Sequence, residues 1–122
     1  MNRGSVIVLD DNLFFRPRLE TELRAAGFTP VFAVAAAGFR SALDAAPDAV
    51  VVNLAARGFD AAALVAEAHV RFPALPIIGF GPHTDESLVA SGLAAGCVEV
   101  VPNGLVVRAA GRLVAQHRAT TE

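Results

Sequence analysis

At 122 residues and 12.6 kDa the chain is the size of one domain, expected to span 1–122. At this mass about 6,200 Å² of surface stays exposed on folding, of about 18,000 Å² in the unfolded chain, so a core needs no disulfide or metal staple. A composition 54% hydrophobic and 18% charged excludes a disordered chain, and ten basic against twelve acidic residues, net −2, argue against a basic nucleic-acid-binding patch. One cysteine, Cys97, excludes a disulfide framework and a multi-cysteine zinc site. No apolar stretch approaches ~20 residues, and Asp10-Asp11 interrupt the first one, so a cytoplasmic chain without signal peptide or membrane span is expected. All the basic residues are arginine: the chain has no lysine, and no tyrosine or tryptophan.

Five short apolar runs alternate with five helical segments. The first run, Ser5 to Leu9, closes at Asp10-Asp11. A helix follows from Phe14 to Ala26, with Phe15, Leu19, Leu23 and Ala26 on one face, Pro17 in its first turn and Gly27 as its stop. The second run, Thr29 to Val34, contains Pro30, a residue tolerated at sheet edges. Alanine-rich 36–46 reads as a helix ended by Pro47. The third run, Ala49 to Val52, is left at Asn53. Asp60 caps a helix from Ala61 to Phe72, and Pro73 ends it. The fourth run, Ile77 to Phe80, precedes a helix that opens at Asp85-Glu86 and closes at Gly96. The fifth run, Cys97 to Val101, is followed by Pro102 and a last helix from Leu105 to His117. Runs that are β-branched and apolar on both faces are strands of a parallel sheet covered on both sides. Strand and helix alternating five times predict a flavodoxin-like doubly wound α/β domain, sheet order 2-1-3-4-5.

In such a sheet the ligand site lies beyond the carboxyl ends of strands one and three. The residues leaving them are Asp10, Asp11 and Asn53. Helix capping accounts for one acidic residue there, but not for two like charges at the point where the strands converge.

These features, in order, resemble the response-regulator receiver domain family from Ser5 to His117. They are Val6-Ile7-Val8-Leu9-Asp10-Asp11, the spacing from Leu23 to Gly27, Pro47-Asp48-Ala49-Val50-Val51-Val52, Pro76-Ile77-Ile78 and Gly96-Cys97. The resemblance implies phosphoryl transfer from a histidine kinase to an aspartate ending strand three, with Mg²⁺ on the acidic pair and on a backbone carbonyl at Ala55. It also implies a Thr or Ser ending strand four, a Lys after strand five, and a partner face on helix 4, strand 5 and helix 5.

The chain departs from that pattern where the chemistry is done. The acceptor position holds Asn53, whose amide forms no acyl phosphate. The hydroxyl position holds Gly81. The lysine position falls on Asn103 or, matched by its proline, on Val101, and no lysine exists anywhere. The aromatic switch position falls near Val100. These losses fit together, because a buried lysine without the acceptor carboxylate would be an unpaired charge. The expected function is therefore a degenerate receiver, a protein-interaction module with no catalytic residue, no cofactor and at most weak Mg²⁺ at Asp10, Asp11 and Ala55. Two alternatives stand beside it: a phosphorelay domain phosphorylated on Asp10 or Asp11, and a small-molecule binder in the same cleft. Val107 and Val114 widen the apolar arc of the last helix and are expected on a partner or self-association face, with no role for nucleic acid or membrane. His69, His83 and His117 share no ligand spacing. Cys97 reads as packing, and Gly79-Phe80-Gly81 is a weak phosphate-loop match, opposed by Asp85 and Glu86.

Overall fold

Strands and helices alternate without exception: β1 (Ser5–Leu9), α1 (Arg16–Ala25), β2 (Thr29–Ala33), α2 (Ala36–Leu43), β3 (Ala49–Asn53), α3 (Ala61–Arg71), β4 (Ile77–Gly81), α4 (Glu86–Ala95), β5 (Glu99–Pro102) and α5 (Asn103–Thr121). The computed structural model describes residues 2–82 and 85–121, and His83 lies outside the described residues. All strand pairs are parallel, in the order β2-β1-β3-β4-β5, with Val8 opposite Phe32 on one side and Val51 on the other. This is the flavodoxin-like topology expected from the sequence.

The two-residue period of the strands divides the core into two layers. Val6, Val8, Ala49, Val51, Ile78 and Phe80 face α1 and α5, packing on Leu19, Leu23, Val106 and Leu113. Ile7, Leu9, Val50, Val52 and Ile77 face α2 and α3, packing on Phe39, Leu43, Leu64 and Val65. Each fully buried Val, Ile or Phe contributes about 1.5–3 kcal/mol, so the sheet is committed to this register. Both sheet edges carry proline, Pro30 in β2 and Pro102 at the end of β5, which removes a ladder donor from each.

Asp60 caps α3 by accepting from Ala63 N (3.1 Å), and Asp85 caps α4 by accepting from Leu88 N (3.0 Å). Several boundaries differ from the sequence reading. The first helix starts at Arg16, leaving Phe14 and Phe15 in the preceding loop. The second ends at Leu43, because the chain tightens into i−3 hydrogen bonds and Ala46 turns left-handed (φ 54°) ahead of Pro47, which disfavours a helical predecessor. The fifth strand begins at Glu99, because Gly96 (φ 131°) reverses the chain and Cys97 N bonds back to Gly92 O in α4. The last helix starts directly at Asn103 and is kinked at Ala109 (φ −144°, ψ 18°).

The expectation that Val114 lies on a partner face is corrected. Val114 is fully buried and Val107 half-buried, both in the layer that α5 shares with α1. The wide apolar arc of α5 serves this contact, which is unusually close. A Cβ on Gly111 would lie 2.6 Å from Glu22 O and run into Ala26.

Two substitutions test this packing by thermal or urea unfolding. Gly111→Ala gains about 1 kcal/mol of helix propensity but meets unyielding backbone, at a cost of about 1–3 kcal/mol, so net destabilisation is expected. Ala46→Gly relieves the left-handed strain, partly offset by a more flexible unfolded chain, and stabilises by roughly 0.5–1 kcal/mol.

Candidate functional site: the carboxyl ends of β1 and β3

The register that places Leu9 beside Val52 sets the next residues, Asp10 and Asn53, side by side where the two strands end. Both are buried, 7% and 5% exposed, and they are the buried polar side chains among the described residues. Asn53 Nδ2 donates to Asp10 Oδ1 (2.9 Å), and Asn53 Oδ1 accepts from Ala55 N (2.9 Å). Chemistry fixes this orientation of the amide. A carboxylate only accepts and a backbone N–H only donates, so a flipped amide would lose both bonds.

Asp10 Oδ1 also accepts from Asn12 N (2.9 Å), while Asp10 Oδ2 is buried without a hydrogen-bond partner. Burial pushes the Asp10 carboxyl above its ordinary range. The bonds from Asn53 and Asn12 pull it down, and the neighbouring Asp11 charge adds a further upward push. Asp11, half-buried, accepts from Gly58 N through Oδ2 (2.7 Å). Gly58 was invisible to sequence reasoning, because nothing in Arg57-Gly58-Phe59 marks a backbone donor aimed 47 residues back along the chain.

Beside this pair is an open cleft of about 430 Å³, lined by Asp11, Asn53, Ala55, Arg57, Pro82 and Asn103 among others. The structure thus brings Asp10, Asp11, Asn53, Ala55 and Asn103 to one place. Val101, the other candidate for the lysine position, is 4% exposed and packs in the α1/α5 layer. Gly81 is buried at the end of β4 and opens on a neighbouring cavity of about 230 Å³ with Leu88 and Val100. A Cβ there would sit 3.7 Å from Leu88 Cδ2, an ordinary contact, so the absence of a side chain is not a steric necessity. Gly79 and Gly81 both lie within β4 and form no loop. Phe15 stacks edge-to-face on Phe80 (5.6 Å) and forms the wall between core and cleft.

The residues are a poor match to the Mg²⁺ that the family resemblance implies, although Asp10 Oδ2 is buried without a partner. Asp10 Oδ1 and Asp11 Oδ2 already hold protein donors, and Asn53 turns its N–H₂, not its oxygen, toward Asp10. Among the described residues no three His, Cys, Asp or Glu side chains are grouped to hold a metal ion. His69 lies on α3, and His117 Nε2 meets Glu99 Oε1 at 2.6 Å on α5, away from the cleft. The Cys97 thiol is pushed up to about 11 by burial, which suits packing and not nucleophilic attack. Among the described residues no helix is long and apolar enough to cross a membrane.

No family model matches the chain. It is 30% identical over 115 residues to the DNA-binding transcriptional regulator NtrC of Escherichia coli (strain K12), a match covering 93% of this chain and 24% of that protein. The receiver domain of NtrX from Brucella abortus superposes with a TM-score of 0.84 at 23% identity, covering 96% of this chain and 99% of that one. NtrX from the same organism, in a structure with ADP, gives 0.86 at 22% identity over 99% of this chain and 28% of that one. A CheY-like receiver domain protein from Methanospirillum hungatei JF-1 gives 0.84 at 14% identity, covering 96% and 94%. The chain has the fold of response-regulator receiver domains and is similar in sequence to part of NtrC. The chain spans about a quarter of the length of the NtrC relative it matches.

The electrostatics of the site predict a pH dependence. The Asp10 pKa is raised in the folded state, so the folded protein holds this proton more tightly than the unfolded chain does. Its favourable contribution is fully present below the unfolded value and is lost as pH rises through the folded value. Asp10→Asn keeps an acceptor for Asn53 and Asn12 and removes the buried charge. By urea midpoint the variant should be the more stable protein at pH 7, and its advantage should vanish as pH falls through the Asp10 titration.

Proposed function

We propose that this receiver domain works without phosphorylation at Asn53, as a signalling module whose output depends on protein contacts. The observation that carries the reading is the Asn53 amide itself. It occupies the acceptor position, carries no nucleophilic oxygen, and has both ends engaged, by Asp10 and by Ala55 N. The rest of the pocket supports the same reading. Gly81 brings no hydroxyl, Asn103 brings an amide to the cleft where the family pattern has a lysine, and the two carboxylates hold protein donors. On this reading the domain acts without catalysis of its own, in keeping with a buried Cys97 thiol and, among the described residues, no side-chain group placed to hold a metal ion. Its setting is a two-component pathway inside the cell, and its partner is a protein.

The test is intact-mass measurement after incubation with acetyl phosphate and Mg²⁺, with any modified residue mapped. No gain of a phosphoryl group is expected. Labelling at position 53 would overturn the reading, and labelling at Asp10 or Asp11 would replace it with phosphotransfer to the acidic pair.

Asn53→Asp alone should not restore phosphorylation. It exchanges a hydrogen bond to Asp10 for carboxylate–carboxylate repulsion with no lysine to balance it. The variant should lose on the order of 1–3 kcal/mol at neutral pH without metal. Added Mg²⁺ should return part of that by binding only the folded state. Thermal midpoints of both proteins, each with and without Mg²⁺, make the comparison.

A further inference from the structure

We propose that the chain carries an internal substitute for a metal ion. The Asn53 side-chain amide and the Gly58 backbone N–H each engage one oxygen of the acidic pair, Asp10 Oδ1 and Asp11 Oδ2, and latch the β3–α3 loop in one position that divalent cations do not alter. This goes beyond the absence of phosphorylation, since a domain without an acceptor aspartate could still have a loop that a cation repositions.

Four consecutive fastenings make the latch. Leu54 N donates to Phe80 O (2.9 Å), tying the start of the loop to β4. Ala55 N donates to Asn53 Oδ1 (2.9 Å), and Ala56 N to Asn53 O (3.3 Å). Gly58 N donates to Asp11 Oδ2 (2.7 Å), and the loop then ends at the Asp60 cap of α3. Asp11 therefore spans from the end of β1 to the far side of the loop, while Asp10 and Asn53 join β1 to its root. Bonds from N–H groups to carboxylates are shorter and stronger than neutral ones.

A cation that took the Asn53 oxygen as a ligand would have to turn it outward, breaking the bonds to Asp10 and Ala55 together, and one that took Asp11 Oδ2 would compete with Gly58. Glycine at 58 is part of the device. A Cβ there would sit 2.8 Å from Asp11 Oδ2, closer than side chains come to rest, so another residue at this position forces the carboxylate away.

The experiment is residue-resolved amide hydrogen exchange on the 122-residue chain, in EDTA and in about 10 mM MgCl₂, at neutral pH. The Ala55 and Gly58 amides should be protected by at least about tenfold over an unstructured peptide in both buffers, with no more than about twofold difference between them. Asp11→Ala should expose the Gly58 amide by about tenfold or more and leave Ala55 protected, whereas Asp11→Asn, which keeps an acceptor oxygen, should retain most of the Gly58 protection. Gly58→Ala should weaken the latch from the other side, with the loop amides faster and the sheet amides unchanged. Unprotected Ala55 and Gly58 amides in wild type would overturn the proposal, as would a Mg²⁺-induced change beyond twofold or a Gly58 amide still protected in Asp11→Ala. Failure of the phosphorylation reading would appear in the mass measurement and not in exchange, so the two fail separately.

Discussion

A parallel sheet covered on both faces forces its polar business to the strand ends, and in this protein one hydrogen bond there sets the terms for the rest. Asp10 and Asn53 end the two central strands at the same level, buried and in contact. A carboxylate so buried needs a cation, a proton or hydrogen-bond donors. Here it receives donors: the amide of Asn53 and the backbone of Asn12. Once that bond is made, Asn53 has one orientation, its oxygen is committed to Ala55, and the loop that follows leaves the sheet in a defined direction.

The composition of the chain fits this choice. A lysine directed at the acidic pair balances three carboxylates. With Asn53 in place of the third, the same lysine would be buried without its main partner, and breaking such a pair costs more than never making it. The chain has no lysine, and the residue lining the cleft after β5 is Asn103, short and neutral. Asp11 finds its donor in the Gly58 backbone. The balance is incomplete in one respect: Asp10 Oδ2 and Asn103 Oδ1 remain buried without partners, a polar remnant at the edge of an otherwise satisfied site.

The fold was legible in the sequence because its signals are local and redundant. Apolar runs closed by Asp10, Asn53 and Pro102, caps at Asp60 and Asp85, and Pro30 on an edge strand all point to one topology. The convergence of Asp10, Asp11, Asn53 and Asn103 followed from topology plus register. Long-range contacts were not legible. Val107 and Val114 read as surplus apolar surface because nothing in α5 announces that Gly111 lets α1 approach so closely. The donor role of Gly58, the kink at Ala109 and the left-handed turn at Ala46 depend on backbone geometry, which residue identity constrains only weakly. The identity of Asn53 announced the loss of an acceptor. Its orientation, which turns that loss into a structural bond, required the neighbouring strand.

The most direct measurement is the side-chain amide resonance of Asn53 followed by NMR through a pH titration, with and without Mg²⁺. If the amide holds Asp10, one Nδ2 proton should lie well downfield of the other, shift as Asp10 takes up its proton above the ordinary carboxylate range, and stay put when Mg²⁺ is added. Two equivalent, solvent-like amide protons, or a resonance that moves on adding Mg²⁺, would contradict the account.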